Sequence, residues 1–293
     1  MKKFLKKLSI VGLAAGLLAS GFQTPVSAQG EFDGETVTVG LVPGTAEDVW
    51  QTVVDQATED GITIEIVLLN DYVQPNISLN DGSLDLNAFQ HVAFLNNWND
   101  ENDADLQGIG YTFVSPMGAY SENIASLEEL QDGDIIAIPN DPTNGGRALL
   151  GLEIAGIIEV DDEAGALPTP EDVTDNPLNL QFEEAEAAQL PAILPDVAAA
   201  FINNNFATDA GLSLEEDAIF IDADHPEQLN EAYRNVIAAR PEDTENPLYL
   251  QIAEYYNSPE TAKAIYELTG GDKPAWEGAP QSLEEAEEAL SAE

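Results

Sequence analysis

Residues 36–69, TVTVGLVPGTAEDVWQTVVDQATEDGITIEIVLL, decide the fold class. Thr36–Leu41 alternates with a period of two, which predicts a strand, and residues 62–69 alternate in the same way. Residues 45–59 between them have apolar side chains at helical spacing, namely Val49, Val53 and Ala57. The segment therefore predicts a β-α-β unit, which is typical of α/β folds.

The rest of the chain continues the alternation of strands and helices. Further strands are predicted at 84–89, 108–114, 135–138, 178–182, 198–202, 218–221 and 233–239. Helices are predicted at 92–98, 144–155, 247–256 and 259–268. The acidic, proline-containing residues 161–175 are expected to form a surface loop, and residues 281–293 an acidic tail that is either helical or frayed.

The length favours two α/β lobes. Lobe 1 is predicted to comprise residues 35–118 and 223–280, and lobe 2 residues 119–222. Strands that cross between the lobes would leave a cleft, and ligands bind preferentially at such domain interfaces and at the carboxyl ends of strands.

Residues 1–28 have the pattern of a signal peptide. Four lysines, at positions 2, 3, 6 and 7, precede the apolar residues 8–22, and the small residues Val26-Ser27-Ala28 follow. Cleavage is expected before Gln29. A transmembrane anchor is the weaker alternative, because the apolar run is short for a bilayer. The protein is therefore expected outside the cytoplasmic membrane.

The charge balance excludes several functions. There are 9 Lys and Arg residues against 55 Asp and Glu, and a net charge of −46 disfavours nucleic-acid binding. The absence of cysteine excludes disulfides, zinc–thiolate sites and cysteine nucleophiles. A salt-loving source explains the acid excess more simply than a calcium-binding surface, since no Asp-x-Asp-x-Asp-Gly loop is present. Residues 99–103 and 222–225 are accordingly interpreted as solvated faces or turns, and no metal or cofactor is expected.

The most informative loop is residues 138–147, IPNDPTNGGR, which leads from an apolar strand into a helix. Thr143 or Asn144 is expected to cap that helix. Arg147 lies in its first turn, where a cation opposes the helix dipole. Two interpretations stay open: a surface ion pair, or a planar clamp for a carboxylate.

Two other segments place aromatic and amide side chains after predicted strands. Tyr72, Phe89 and His91 lie in DYVQPN (71–76) and DLNAFQH (85–91), and Asn203 lies in FINNNF (201–206). Taken singly, the two aromatic residues would belong to a core, the histidine would be structural, and the amides would cap a helix.

Four strings in this order give a sharper result: DYVQPNISLNDGSLDLNAFQHVAFL, IAIPNDPTNGGRALLGLEIAG, EAEAAQLPAIL and FINNNFATDAGL. Together they resemble the methionine-binding proteins of ABC importers, the MetQ/NlpA family. The resemblance implies a type II-like periplasmic-binding-protein fold whose two lobes close on one free amino acid. It also implies a membrane permease as partner.

If the ligand contacts of the family are transferred to the matching motifs, Arg147 would hold the ligand carboxylate with Asn144 beside it. Asn203 would bond the polar backbone end of the ligand. Tyr72, Phe89 and His91 would line the side-chain pocket, where a thioether packs well against aromatic edges. Two residues depart from the family pattern: Leu86 stands where alanine is common, and Asn205-Phe206 stands where Asn-Tyr is frequent, so that phenylalanine replaces tyrosine. The cysteine that carries the lipid in most members is also missing, so attachment to the membrane through a lipid on this cysteine is not expected.

The sequence therefore predicts a monomeric, non-enzymatic binding protein that delivers methionine or a close analogue. Binding of another amino acid or of a methionine-containing dipeptide, and a scavenging or adhesive surface protein, are alternatives. A secreted hydrolase using two carboxylates is disfavoured, because no Gly-x-Ser-x-Gly or His-Glu-x-x-His motif occurs.

The charge predicts a steep dependence of stability on salt. Residues 29–293 retain five basic residues against all 55 acidic ones, so folding concentrates a repulsion that the expanded chain avoids. The Debye length falls from about 10 Å at 0.1 M salt to about 3 Å at 1 M. The melting temperature should therefore rise with NaCl and level off above roughly 1 M. Equal melting temperatures at low and high NaCl would contradict this prediction.

Overall fold

The computed structural model describes residues 30–224 and 231–292; the predicted signal peptide and His225 lie outside them. The helices are α1 (Ala46–Glu59), α2 (Gln74–Asn80), α3 (Val92–Asn102), α4 (Pro142–Ile154), α5 (Leu190–Ile193), α6 (Asn204–Asp209), α7 (Pro247–Tyr256), α8 (Pro259–Leu268) and α9 (Leu283–Ala292). The strands are β1 (Thr36–Leu41), β2 (Thr63–Leu68), β3 (Leu86–His91), β4 (Gln107–Val114), β5 (Met117–Tyr120), β6 (Ile135–Pro139), β7 (Glu159–Val160), β8 (Val173–Asp175), β9 (Gln181–Ala185), β10 (Ala199–Asn203), β11 (Ala218–Ile221), β12 (Arg234–Ala239) and β13 (Lys273–Pro274).

Two sheets with a similar arrangement of parallel and antiparallel strands form the two lobes of the α/β fold. The first has the order β13-β4-β12-β3-β1-β2 and the second the order β11-β5-β10-β6-β9. Each contains three adjacent parallel strands, β2-β1-β3 and β9-β6-β10. Each also contains one antiparallel strand next to them, β12 in the first sheet and β5 in the second. The chain crosses between the sheets after β4 and again after β11.

The β1-α1-β2 unit is present as predicted. β1 and β2 pair in parallel from Thr36 with Thr63 to Leu41 with Leu68. The helix buries Val49, Trp50, Val53 and Ala57. The rings of Trp50 and Tyr256 lie 5.3 Å apart in the same core, which α7 and α8 complete. Burial of a large apolar side chain contributes roughly 1.5–3 kcal/mol, so this core stabilises the packing of the helices on the first sheet.

Several predicted boundaries need correction. Residues 161–175 are not a simple loop, because β8 pairs with β7 and short 3₁₀ turns lie between them. Met117 and Gly118, assigned to lobe 1 by the predicted boundary, lie in β5, which pairs with β10 in the second sheet. The strand expected at 178–182 is β9 (Gln181–Ala185). The predicted acidic tail contains helix α9, which packs against α8. The other limits of the two lobes stay a prediction.

A separate apolar cluster contains residues from both lobes. Val42, directly after β1, packs with Phe206 and Leu190 of the second lobe, and Tyr72 and Phe89 lie against this cluster. It therefore forms the apolar side of the space between the lobes. Within the described residues, no helix is long and apolar enough to cross a membrane.

Candidate functional site

A cavity lies between the two sheets and is lined by all six predicted site residues: Tyr72, Phe89, His91, Asn144, Arg147 and Asn203. They come from the turn just before α2, from β3, from the first turns of α4 and from the end of β10. Since β3, β6 and β10 are parallel strands in their sheets, the residues that follow or end them meet at the facing edges. The topology thus explains why three distant motifs converge.

The N-terminus of α4 is capped by Asp141, not by Thr143 or Asn144 as expected. The Asp141 carboxylate accepts from the backbone N–H of Asn144 at 2.9 Å and from the Thr143 hydroxyl at 2.8 Å. Pro142 follows at the first helical position, where its missing N–H costs nothing. A Cβ on Gly145 would lie 2.6 Å from the Pro139 carbonyl oxygen, so glycine lets the helix start close to β6.

The Asn144 side chain joins the two lobes. Its amide nitrogen donates to the Asp141 carboxylate at 3.0–3.1 Å. Its amide oxygen accepts from Asn203 Nδ2 at 2.9 Å and lies 3.4 Å from His91 Nε2. Asn203 Oδ1 is buried and has no hydrogen-bond partner among the described residues. A ligand N–H group would satisfy this acceptor, since an unpaired buried polar atom costs roughly 1–3 kcal/mol.

His91 is held as a neutral hydrogen-bond donor. Its Nδ1 accepts from the backbone N–H of Phe94 at 3.1 Å and so caps α3. The proton of the neutral ring is therefore assigned to Nε2, which faces the Asn144 oxygen. Burial, together with the positive charge of Arg147, lowers the pKa of His91 to about 3.

Arg147 forms an ion pair, but a buried one. Its Nε and Nη2 both lie 2.6 Å from Asp222 Oδ2, and the two side chains are each 6% exposed. Nη2 also donates to the Ser115 carbonyl at 2.9 Å, and the guanidinium lies 4.6 Å from the centre of the Tyr233 ring. No described residue makes a hydrogen bond to Nη1. The surface-pair interpretation is thus wrong, and one edge of the guanidinium stays available at the cavity.

Asp222 also corrects the interpretation of residues 222–225 as a solvated turn. Its side chain is buried, and Oδ1 accepts from the backbone N–H of Met117 at 2.9 Å. The other acidic run, at 99–103, closes α3 and is largely exposed, as predicted. Local composition is alike in both segments, and only the tertiary contact with Arg147 distinguishes them. Among the described residues, no group of three His, Asp or Glu side chains could hold a metal ion.

Aromatic side chains form the opposite wall. The Tyr72 ring lies 5.8 Å from Phe89 and 4.9 Å from Phe206, and Phe94 lies 5.8 Å from both Tyr72 and Phe89. The Tyr72 hydroxyl donates to Asn205 Oδ1 at 2.6 Å, across the cleft. Burial raises the pKa of Tyr72 far above its ordinary value. This wall is therefore apolar and uncharged.

A buried amide network supports the strand that carries Phe89 and His91. Asn76 and Gln90 exchange two hydrogen bonds of 2.6 and 2.7 Å, and Asn87 donates to Asn76 Oδ1 at 2.9 Å. Because the members satisfy one another, the network specifies how α2 packs on β3. It fixes the positions of Phe89 and His91, the two site residues on either side of Gln90 in β3.

Sequence reasoning missed several lining residues, of which Asp272 is the most unusual. The residue is 7% exposed, and its Oδ1 accepts from the Ser115 hydroxyl at 2.7 Å and from Asn204 Nδ2 at 2.9 Å. Burial raises the pKa of Asp272 to about 6. In a chain with 55 acidic residues, nothing in its local sequence marks it. Phe94 and Ser115 were missed for the same reason, whereas Asn205 lies in the segment 201–206 considered above but was not predicted to line the cavity.

Comparisons with known proteins agree with the geometry. A profile of the NlpA lipoprotein family matches residues 37–276. The D-methionine-binding lipoprotein MetQ of Salmonella typhimurium is 38% identical over 268 residues, covering 90% of this chain and 97% of the relative. A nutrient-binding protein from Burkholderia cenocepacia, solved bound to methionine, has a TM-score of 0.77 and 37% identity, with 82% of this chain and 100% of that chain covered. The substrate-binding protein of a methionine transporter from Streptococcus pneumoniae has a TM-score of 0.76 and 36% identity, with 82% and 96% covered.

The buried ion pair predicts a large stability effect. Arg147→Met should leave Asp222 buried without a counter-charge and lower the free energy of unfolding by about 3–5 kcal/mol. Adding Asp222→Asn should restore a large part of the lost free energy of unfolding, because it removes the unpaired buried charge and keeps an acceptor for the backbone N–H of Met117. Chemical denaturation at fixed NaCl measures both. Lys263→Met is the control, since the exposed Lys263–Glu267 pair should contribute less than about 1 kcal/mol. Equal losses for Arg147→Met and Lys263→Met would refute the argument.

The environment of His91 predicts that its ring does not titrate in the physiological range. In a His225→Gln background, the ring resonances of His91 should stay nearly constant from pH 8 to pH 5, as measured by NMR. The pKa in the folded protein, about 3, lies below the unfolded value of about 6.5. The unfolded chain therefore binds the extra proton in this window, and stability from the neutral ring is lost as pH falls below about 6.5. A titration midpoint near 6.5 would contradict the assignment.

Proposed function

Because this chain belongs to the NlpA lipoprotein family, we propose that it is the extracytoplasmic substrate-binding protein of an ABC importer and that it binds methionine. One observation carries the proposal. The cavity brings an available edge of a buried guanidinium and an unpaired amide oxygen together with an aromatic wall. These are the partners that the carboxylate, the ammonium group and the apolar side chain of an amino acid require.

The polar end of the ligand would lie between Arg147 and Asn203. Arg147 Nη1 would donate to the ligand carboxylate, with the Asn144 side chain beside it. The ion pair with Asp222 fixes the guanidinium before the ligand arrives, which reduces the entropy lost on binding. Asn203 Oδ1 would accept from the ammonium group, and this contact would satisfy the one buried acceptor that lacks a partner among the described cavity-lining side chains.

The side chain of the ligand would lie against Tyr72 and Phe89. A thioether makes favourable contacts with aromatic ring edges, and the rings of Phe89 and Phe94 present such an edge-to-face arrangement. His91, neutral and already bonded to Asn144, would close this pocket without adding a charge. The departures at Leu86 and Phe206 affect the finer preference among methionine analogues and leave this arrangement intact.

The proposal extends to partners and location. The names of the relatives mention D-methionine or methionine, so both enantiomers are candidates for this chain. The protein would act as a monomer, without enzymatic activity, and pass its ligand to a membrane permease. The relatives are named lipoproteins, yet the 293 residues contain no cysteine to which a thioether-linked lipid could be attached. Export by the predicted signal peptide is therefore proposed without that modification.

Calorimetry with L-methionine, D-methionine and alanine tests the function. One methionine should bind per chain without turnover and should raise the melting temperature through mass action on the folded state. Phe89→Ala should weaken methionine binding by about 2–4 kcal/mol, or roughly 30- to 700-fold. Binding of alanine should change much less, because alanine does not reach the ring.

The control variant is Ile77→Ala, which removes an exposed apolar side chain outside the cavity. It should leave both affinities unchanged. If the wild type bound neither enantiomer, the proposed ligand would be wrong. If Phe89→Ala weakened alanine and methionine equally, Phe89 would be a scaffold residue and not a determinant of specificity.

A further inference from the structure

The charges around the cavity do not balance without a ligand. Arg147 is already neutralised by Asp222, and His91 is neutral. Asp272 also lines the cavity, and no described cation forms an ion pair with it. Lys273 follows it directly in the chain but is exposed. The cavity thus has one buried carboxylate more than its own cations compensate.

The contacts of Asp272 place it between the two polar groups already assigned to the ligand. Its Oδ1 accepts from the hydroxyl of Ser115, whose carbonyl oxygen accepts from Arg147. The same Oδ1 accepts from the side chain of Asn204, the residue after Asn203. Its Oδ2 makes no hydrogen bond to any described residue. One carboxylate oxygen is therefore fixed by the protein, and the other is left for the contents of the cavity.

We propose that Asp272 is the anionic anchor of the ligand's ammonium group and that it acts together with the unpaired Asn203 oxygen. The inference rests on the proposed function and deepens it, since it names the group that selects an amino acid over an uncharged or N-acylated analogue. A zwitterion brings no net charge into the cavity. Its ammonium group would compensate Asp272, while its carboxylate shares the guanidinium of Arg147.

This arrangement couples ligand binding to proton release. The pKa of Asp272 is about 6 in the empty site because burial disfavours the charged form. The charged or titratable groups coupled to it are Arg147, Tyr72 and Tyr256, and burial raises the pKa of both tyrosines. Neither tyrosine titrates near pH 6. An ammonium group beside Asp272 favours its ionised form, so methionine should displace a proton from the half-protonated carboxyl at pH 6.

The sign of the pH effect follows from linkage. The pKa of Asp272 in the empty folded protein lies above the ordinary aspartate value of 3.8. The ionised group therefore destabilises the empty protein by its full amount above about pH 6, and this cost decreases as pH falls from 6 towards 3.8. Methionine should accordingly bind more tightly at pH 8 than at pH 5.

The decisive experiment compares two ligands and three proteins by calorimetry at pH 8. The ligands are L-methionine and 4-methylthiobutanoate, which has the same carboxylate and thioether but lacks the ammonium group. Asp272→Asn keeps an oxygen acceptor for Ser115 and Asn204 and removes only the charge. It should weaken methionine binding about 30-fold or more and change 4-methylthiobutanoate binding less than about threefold. Asp196→Asn, which removes an exposed charge, should change neither.

Proton release provides the second measurement. At pH 6, titrations of the wild type in two buffers of different ionisation enthalpy should show about half a proton released per methionine, and Asp272→Asn should show almost none. If Asp272→Asn weakened both ligands equally, or released the same number of protons as the wild type, Asp272 would be structural and the inference would be overturned. The proposed function would then stand, because wild-type binding of methionine tests it separately.

Discussion

The ion pair of Arg147 with Asp222 is the interaction on which the site depends. The chain passes between the two sheets after β4 and after β11, at Ser115 and at Asp222. The Arg147 guanidinium contacts both, through the Ser115 carbonyl and the Asp222 carboxylate. One side chain at the start of α4 thereby ties both crossings to the second lobe. Since the pair is desolvated, neither partner can be lost without leaving a costly buried charge.

The fixed guanidinium determines the electrostatics of the cavity around it. Its charge, added to burial, keeps His91 neutral, so the ring can serve as both cap and donor. The hydrogen bonds from Ser115 and Asn204, and the charge of Arg147, oppose the burial that raises the pKa of Asp272. A zwitterion fits such a site because its two ends meet opposite charges without a change in net charge. The aromatic wall then adds selectivity for an apolar side chain that the charges do not provide.

The interior and the surface of this protein follow different electrostatic rules. Among the acidic side chains whose burial the structure describes, all but Asp222 and Asp272 are at least partly exposed, so their effect depends on salt. The two that are buried among the described residues, Asp222 and Asp272, act over short distances through specific partners and are screened far less. The same residue type is therefore a solvated surface group at most positions and a site group at these two. Sequence composition describes the first role and is silent on the second.

The sequence by itself determined those features that local patterns encode. The periodicity of apolar residues was enough to predict the β1-α1-β2 unit and helices α7 and α8, because the spacing of these residues within one element decides which of its faces is apolar. Motif resemblance led to the six residues that line the cavity, although their roles in binding stay a prediction. Only the tertiary structure identified Asp222 as the partner of Arg147, 75 residues away, Asp272 as a cavity carboxylate, and the β7-β8 pair. Burial, charge compensation and strand pairing between distant segments depend on where the chain returns in space, and no local pattern records that.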